Sequence, residues 1–183
     1  MGWGVNVMTS FSAGTNKATS LAIAAAVMTS ATVLGGQTIA QAQAAYGSYI
    51  GVGGSIGITS DDNGDGQQIG AVISARYKFL EAPLSIRTQA FIGESTAVVP
   101  TVSYDIPLSW QTDAYVGAGV SFANGETPSP VGDQTSFVLQ PGIDYAIPNG
   151  NTVVYGNAVV AFDAYEEGGG TALAIQGGLG LRF

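Results

Sequence analysis

The chain has 183 residues, of which five are Lys or Arg and thirteen are Asp or Glu, so its formal charge is -8. It contains neither cysteine nor histidine, which excludes disulfides, zinc sites and any mechanism that needs a thiol or an imidazole. The acidic balance also argues against nucleic-acid binding. Charged residues make up only 10% of the sequence, whereas soluble surfaces are designed with about 25–35%. Although 46% of the residues are hydrophobic, no stretch predicts a membrane-spanning helix, so the apolar residues must follow another pattern.

Residues 1–44 have the three regions of a cleavable secretory signal peptide. Lys17 precedes an apolar run at residues 21–34, and the sequence Ala-Gln-Ala follows at residues 42–44. A short transmembrane helix is the alternative, but Thr and Ser interrupt the run, which is shorter than the ~20 residues needed to span a bilayer. We therefore expect cleavage after Ala44 and a mature domain of residues 45–183. Met8 is an alternative start, because the segment before Lys17 is long.

The mature domain is predicted to be all β, because apolar residues alternate with small or polar ones and no helical period appears. Pro100 and Pro141 fall inside two of the alternating segments, where each predicts a bulge or a strand break because proline cannot donate to a ladder. In chain order the eight segments are residues 48–58, 68–79, 84–92, 96–105, 112–123, 135–146, 152–164 and 172–183.

The connections between these segments alternate between two kinds. The long ones are acidic and glycine-rich, at residues 59–66, 124–133 and 165–170. The short ones are at residues 80–83, 106–111 and 147–151, and the connection at residues 93–95 is an exception because it is short on the long-loop side. Long loops at one rim and short turns at the other are typical of a transmembrane barrel whose termini both lie at the short-turn, periplasmic rim.

The last segment ends on an aromatic residue and has two unlike faces. Leu179, Leu181 and Phe183 lie on the apolar face, and Gln176 and Arg182 lie on the other. This segment resembles the closing strand of bacterial outer-membrane β-barrels, which implies that Leu179, Leu181 and Phe183 act as the insertion and assembly signal.

With its eight segments and its loop asymmetry, the domain of residues 45–183 resembles the small eight-stranded outer-membrane β-barrel superfamily of OmpA-type, OmpX-type and opacity-type surface proteins. The resemblance implies an antiparallel up-and-down transmembrane barrel in the outer membrane of a Gram-negative-type bacterium, reached by signal-peptide-dependent export. It implies contact with outer-membrane lipid and lipopolysaccharide, insertion by the barrel assembly machinery, and a monomer. The sequence names no extracellular partner.

Alternation alone does not say which face of the barrel points inward, since a soluble lipocalin-like barrel has the same period with its apolar face inside. The charges decide this, because every basic residue after the signal peptide falls on the polar face, which is poor in charge for a solvated exterior. We therefore predict a polar lumen, two exterior aromatic belts, and ion pairs in the short-turn half of a barrel too narrow for an open pore. The predicted charge network comprises Arg76, Lys78, Arg87, Arg182, Asp105, Asp113 and Asp144.

One candidate metal site appears in the first long loop. Asp61, Asn63 and Asp65 match the first half of a calcium-binding loop, but position twelve of that pattern is Val72 instead of Glu, and strands flank it. A solvated turn is the preferred interpretation, and weak binding of a divalent cation such as calcium is the alternative. No other cofactor is expected.

The function predicted from the sequence is non-enzymatic, since membrane-embedded barrel enzymes of known families rely on a histidine and this chain has none. A structural or surface-interaction barrel, adhesion-like and with a filled lumen, is the first hypothesis. A narrow porin or transporter for ions or small solutes is the second, and a secreted, soluble lipocalin-like binding barrel is a distant third.

Overall fold

Eight strands follow one another around a closed antiparallel barrel, and β1 closes it by pairing with β8. The structure is a computed structural model that describes residues 47–59, 68–123, 129–166 and 169–183. Within these ranges the chain contains no helix long and apolar enough to cross a membrane. The strands are β1 Tyr49–Gly57, β2 Ile69–Lys78, β3 Leu84–Ile92, β4 Thr96–Pro107, β5 Thr112–Ala123, β6 Ser136–Ala146, β7 Thr152–Phe162 and β8 Thr171–Arg182.

This architecture confirms the prediction of an all-β, eight-stranded up-and-down barrel. Each predicted segment overlaps one strand, and the ends differ by two residues or fewer. The predicted signal peptide at residues 1–44 lies outside the described residues. So does most of the first long loop, at residues 60–67.

The two strand prolines interrupt the ladder but do not cause the predicted bulge or strand break. Beside Pro100, the β4–β5 ladder lacks the pairs between Val98↔Phe122 and Thr101↔Gly119, yet the register is the same before and after the gap. Beside Pro141, the β6–β7 ladder has the same kind of gap, again without a register shift. A proline has no N–H for the neighbour it faces, so pairing is lost there while the strand continues.

Burial follows the alternation, and it places the apolar face outside. On β1, Ile50 and Val52 are 47% and 64% exposed, whereas Tyr49 and Ser55 are 1% exposed. Because successive strand residues point to opposite faces, this inversion extends over most of each strand. It confirms the orientation inferred from the basic residues.

Aromatic side chains mark both rims of this apolar exterior. At the long-loop rim, Phe137 and Phe162 stack with ring centroids 6.1 Å apart. At the short-turn rim, Tyr77 and Phe79 meet edge to face at 5.5 Å, and Tyr145 is also exposed. Phe137 and Tyr145 are both on β6, separated by about 26 Å along the strand. At a tilt of about 40°, this becomes about 20 Å along the barrel axis, close to the ~25 Å apolar band of membrane barrels.

Candidate functional site

The lumen is filled by three layers of side chains, and the layer nearest the short turns is a cluster of ion pairs. Arg76 contacts three carboxylates in the cluster, with N–O distances of 2.7 Å to Asp105, 2.9 Å to Asp113 and 2.9 Å to Asp144. Arg87 contacts Asp144 at 2.8 Å and Asp105 at 3.4 Å. Lys78 completes the cluster through a 2.7 Å contact with Asp113.

The strand register explains why these pairs form across the lumen. Arg76 lies directly opposite Arg87 on the neighbouring strand, and Asp113 lies directly opposite Asp144. Each wall therefore carries like charges side by side, which repel one another. Across the lumen, however, the arginines of β2 and β3 contact carboxylates on the opposite side of the barrel. The resulting cluster has three cations and three anions.

Six of the seven residues predicted for the charge network are joined in this way. The seventh, Arg182, lies at the same end of the barrel, where its guanidinium donates a hydrogen bond to the carbonyl of Gly150 in the β6–β7 turn. Neutral side chains add to the cluster: Ser85 donates to Asp105, and Tyr49 donates to Asp144 at 3.1 Å.

Three buried tyrosines pack against this cluster in spaces left by glycines. The Arg87 guanidinium carbon lies 3.3 Å from the Tyr115 ring centroid, a cation–π geometry, and Tyr49 stacks on Tyr155 at 5.7 Å. A Cβ atom built on Gly142 would lie 2.4 Å from Tyr115 Cζ. The inward glycines of the barrel thereby make room for all three tyrosines.

The close contact at Gly142 predicts a destabilised Gly142→Ala variant. The added methyl group must displace Tyr115 from beneath Arg87, and such overpacking lowers the free energy of unfolding by about 1–3 kcal/mol. Gly156→Ala is the matched control, because that strand glycine faces outward and a Cβ atom built on it would lie 3.8 Å from the nearest atom, a backbone oxygen. Urea unfolding in detergent should separate the two variants. Equal midpoints would contradict the proposed packing.

The middle layer is a ring of buried amides. Gln140 Nε2 donates to Gln89 Oε1 at 2.6 Å and to Asn157 Oδ1 at 3.3 Å, and Gln176 Nε2 donates to the same two oxygens. Thr101 donates to Gln140 Oε1 at 2.6 Å. This ring was not predicted from the sequence, although the glutamines share the inward parity of the charged residues.

The layer nearest the long loops is apolar, which corrects the prediction of a polar lumen throughout. Its members are buried inward residues on most strands, among them Val72, Phe91, Val99, Val138 and Val159. The alternation of apolar and polar residues did not predict them. An apolar residue at an inward position looks the same in sequence as a fault in the alternation.

Two connections close the barrel above this apolar layer. Val131 of the β5–β6 connection is fully buried in it, together with Ala164 of the β7–β8 connection. Gln134 Nε2 ties the two connections together by donating to the carbonyls of Asp163 and Tyr165 at 2.7 and 3.0 Å. We call residues 129–135 and 163–166 the cap.

Gly132 lets the two halves of the cap approach each other. Its φ is +97°, and a Cβ there would lie 2.2 Å from the Ala164 carbonyl oxygen. Only glycine combines that backbone conformation with so close a contact.

No group of three or more acidic side chains is placed to hold a metal ion in the part of the chain that the structure describes. The candidate calcium ligands Asp61, Asn63 and Asp65 lie outside it, so their role stays a prediction.

No protein-family model matches the chain, and neither does any curated protein. Solved structures do match. Neisserial surface protein A has a TM-score of 0.51 and 16% identity, with 75% of this chain and 97% of that chain covered. A structure from the de novo design of transmembrane β-barrels has a TM-score of 0.50 and 12% identity, with 75% and 96% covered. At these identities the likeness concerns the fold, which is that of the small transmembrane barrels.

Proposed function

We propose that this chain is a non-enzymatic outer-membrane barrel that presents its acidic long loops at the cell surface and conducts no solutes. The observation that carries this proposal is the inverted burial, with apolar side chains outside and ionised ones inside. An apolar exterior is unfavourable in water, whereas in a bilayer it contacts the apolar lipid chains. The fold shared with neisserial surface protein A supports the same environment.

The charge of the long-loop rim indicates the kind of surface contact. Glu94, Asp163 and Glu166 are exposed there, and the four basic residues of 45–183 all lie on the short-turn half. This rim repels anionic surfaces, so its partner is cationic or is bridged by divalent ions, as bound lipopolysaccharide would be.

Assembly is proposed to follow the route of other outer-membrane barrels. Leu179, Leu181 and Phe183 project outward from the last strand and its end, with exposures of 56%, 61% and 50%. They are therefore accessible to the barrel assembly machinery and afterwards to lipid. A closed barrel has no free strand edge, which fits a monomer.

Expression in a Gram-negative host tests the proposed location. We expect the protein in the outer-membrane fraction, with gel migration that changes on heating because the folded barrel resists detergent until heated. Recovery in the soluble fraction, with migration independent of heating, would exclude the outer-membrane barrel and favour the secreted binding barrel.

Planar-bilayer recording tests the closed lumen. The ion-pair cluster, the amide ring and the apolar layer lie in series, so we expect no steady, large conductance from the purified protein. The control is a general-diffusion porin reconstituted in the same bilayers. A stable open level comparable to that of the porin would favour the narrow-porin hypothesis.

A further inference from the structure

A cavity of about 200 Å³ opens at the short-turn rim and ends on the ion-pair cluster. Arg76, Lys78, Asp113 and Asp144 line it, and residues 109–111 of the β4–β5 turn form part of its mouth. We call this space the vestibule. Because the amide ring, the apolar layer and the cap lie beyond the cluster, the described part of the chain leaves the vestibule open to a solute from the short-turn side.

Two members of the cluster are far more open to the vestibule than the others. The side chains of Lys78 and Asp113 are 25% and 19% exposed, whereas those of the other four ionised residues are at most 3% exposed. An ammonium group has three N–H donors, and Lys78 directs one to Asp113 Oδ2, the oxygen that also accepts from Arg76. The vestibule therefore presents a cationic donor and an anionic acceptor side by side.

The charge of the cluster selects the kind of solute. Lys78 and Asp113 present opposite charges to this confined space, so an ion with a single charge is attracted by one of them and repelled by the other, which is unfavourable where solvent is scarce. A zwitterion matches both. Arg182 also lines the vestibule, where its guanidinium donates to the carbonyl of Gly150.

We propose that the vestibule binds a small zwitterion that carries one ammonium and one carboxylate group. The carboxylate contacts Lys78, and the ammonium contacts Asp113. The cavity of about 200 Å³ holds about seven water volumes, which is enough for a single small amino acid. This binding does not depend on the proposed surface role of the loops.

Tryptophan fluorescence provides the test, because Trp3 and Trp110 are the two tryptophans of the chain and Trp110, which is 98% exposed, borders the mouth of the vestibule. The full-length Trp3→Phe protein is titrated in detergent with L-alanine, and separately with acetate and methylammonium at the same ionic strength. We expect a saturable change in Trp110 emission with L-alanine. Each single-charge ion, which makes only one of the two charged contacts, should need about tenfold more for half-saturation.

Variants assign the response to the two charged contacts. In the same background, Lys78→Met and Asp113→Asn should each raise the half-saturating L-alanine concentration about tenfold, while Glu81→Gln on the exposed β2–β3 turn should leave it unchanged. Heat-modifiable migration checks that each variant is folded. Ser109→Phe narrows the mouth without touching the ion pairs, and it should weaken binding even if the charge variants fail to fold.

Three results would overturn the proposal. The first is the absence of any saturable change, which would mean a vestibule filled by water alone. The second is equally tight binding of acetate, which would indicate a simple anion site. The third is unchanged L-alanine binding in the folded Lys78→Met and Ser109→Phe proteins.

Discussion

Replacing Asp144 by alanine should lower the free energy of unfolding of the barrel by about 3–5 kcal/mol, the range for breaking a buried ion pair by removing one partner. Asp144 accepts hydrogen bonds from Arg76 at 2.9 Å, from Arg87 at 2.8 Å and from Tyr49 at 3.1 Å. Its loss leaves the cluster with one uncompensated buried cation. The effect is measured by urea unfolding in detergent micelles, in which the folded fraction is detected by its heat-dependent gel migration.

Two further variants separate the ionic effect from a general loss of a carboxylate. Glu81→Ala removes an exposed acid on the β2–β3 turn, and it should change stability by no more than about 0.5 kcal/mol. Asp144→Asn keeps the shape of the side chain but removes its charge, so it should be nearly as destabilising as alanine. A wild-type unfolding midpoint in Asp144→Asn would show that the cluster does not depend on ion pairing.

An arginine placed on the exterior of β1 should be strongly unfavourable in a bilayer. Val52 is 64% exposed near the middle of the apolar band, where arginine costs about 2–4 kcal/mol in a membrane barrel. Refolding into lipid vesicles at a series of urea concentrations gives the change in the free energy of unfolding for Val52→Arg.

The matched control is Leu108→Arg, because Leu108 is 60% exposed but lies in the β4–β5 turn at the rim. Near the membrane interface the same substitution costs about 0–1 kcal/mol. A soluble barrel would tolerate both substitutions equally, so equal stabilities of the two variants would contradict a membrane-facing exterior.

Much of the fold was predictable because its determinants are local. The strands follow from the period of two, and the rims follow from loop chemistry. The face of the sheet that lines the lumen could also be deduced, because Arg76, Lys78 and Arg87 share the parity of the small and polar residues. The proline predictions were wrong in one respect. Pro100 and Pro141 each lose pairing on one side, but the pairing of Pro100 with Thr88 on β3, and of Pro141 with Val116 on β5, keeps each strand in register.

The sequence by itself determined that the charged and polar residues of the strands enter the lumen, whereas the tertiary structure decided what they contact there. The alternation placed Arg76 and Asp144 inside, but their ion pair joins residues 68 positions apart and depends on how the closed barrel sets one wall against the other. The apolar layer and the cap depend on the same closure. In the sequence, Val131 cannot be distinguished from other loop residues. In the structure, the β5–β6 connection turns into the mouth of the barrel, and Val131 packs there among apolar side chains from distant strands. The alternation of side chains depends on residues that are neighbours in the sequence, whereas the packing of the lumen depends on residues that come together only in the folded barrel.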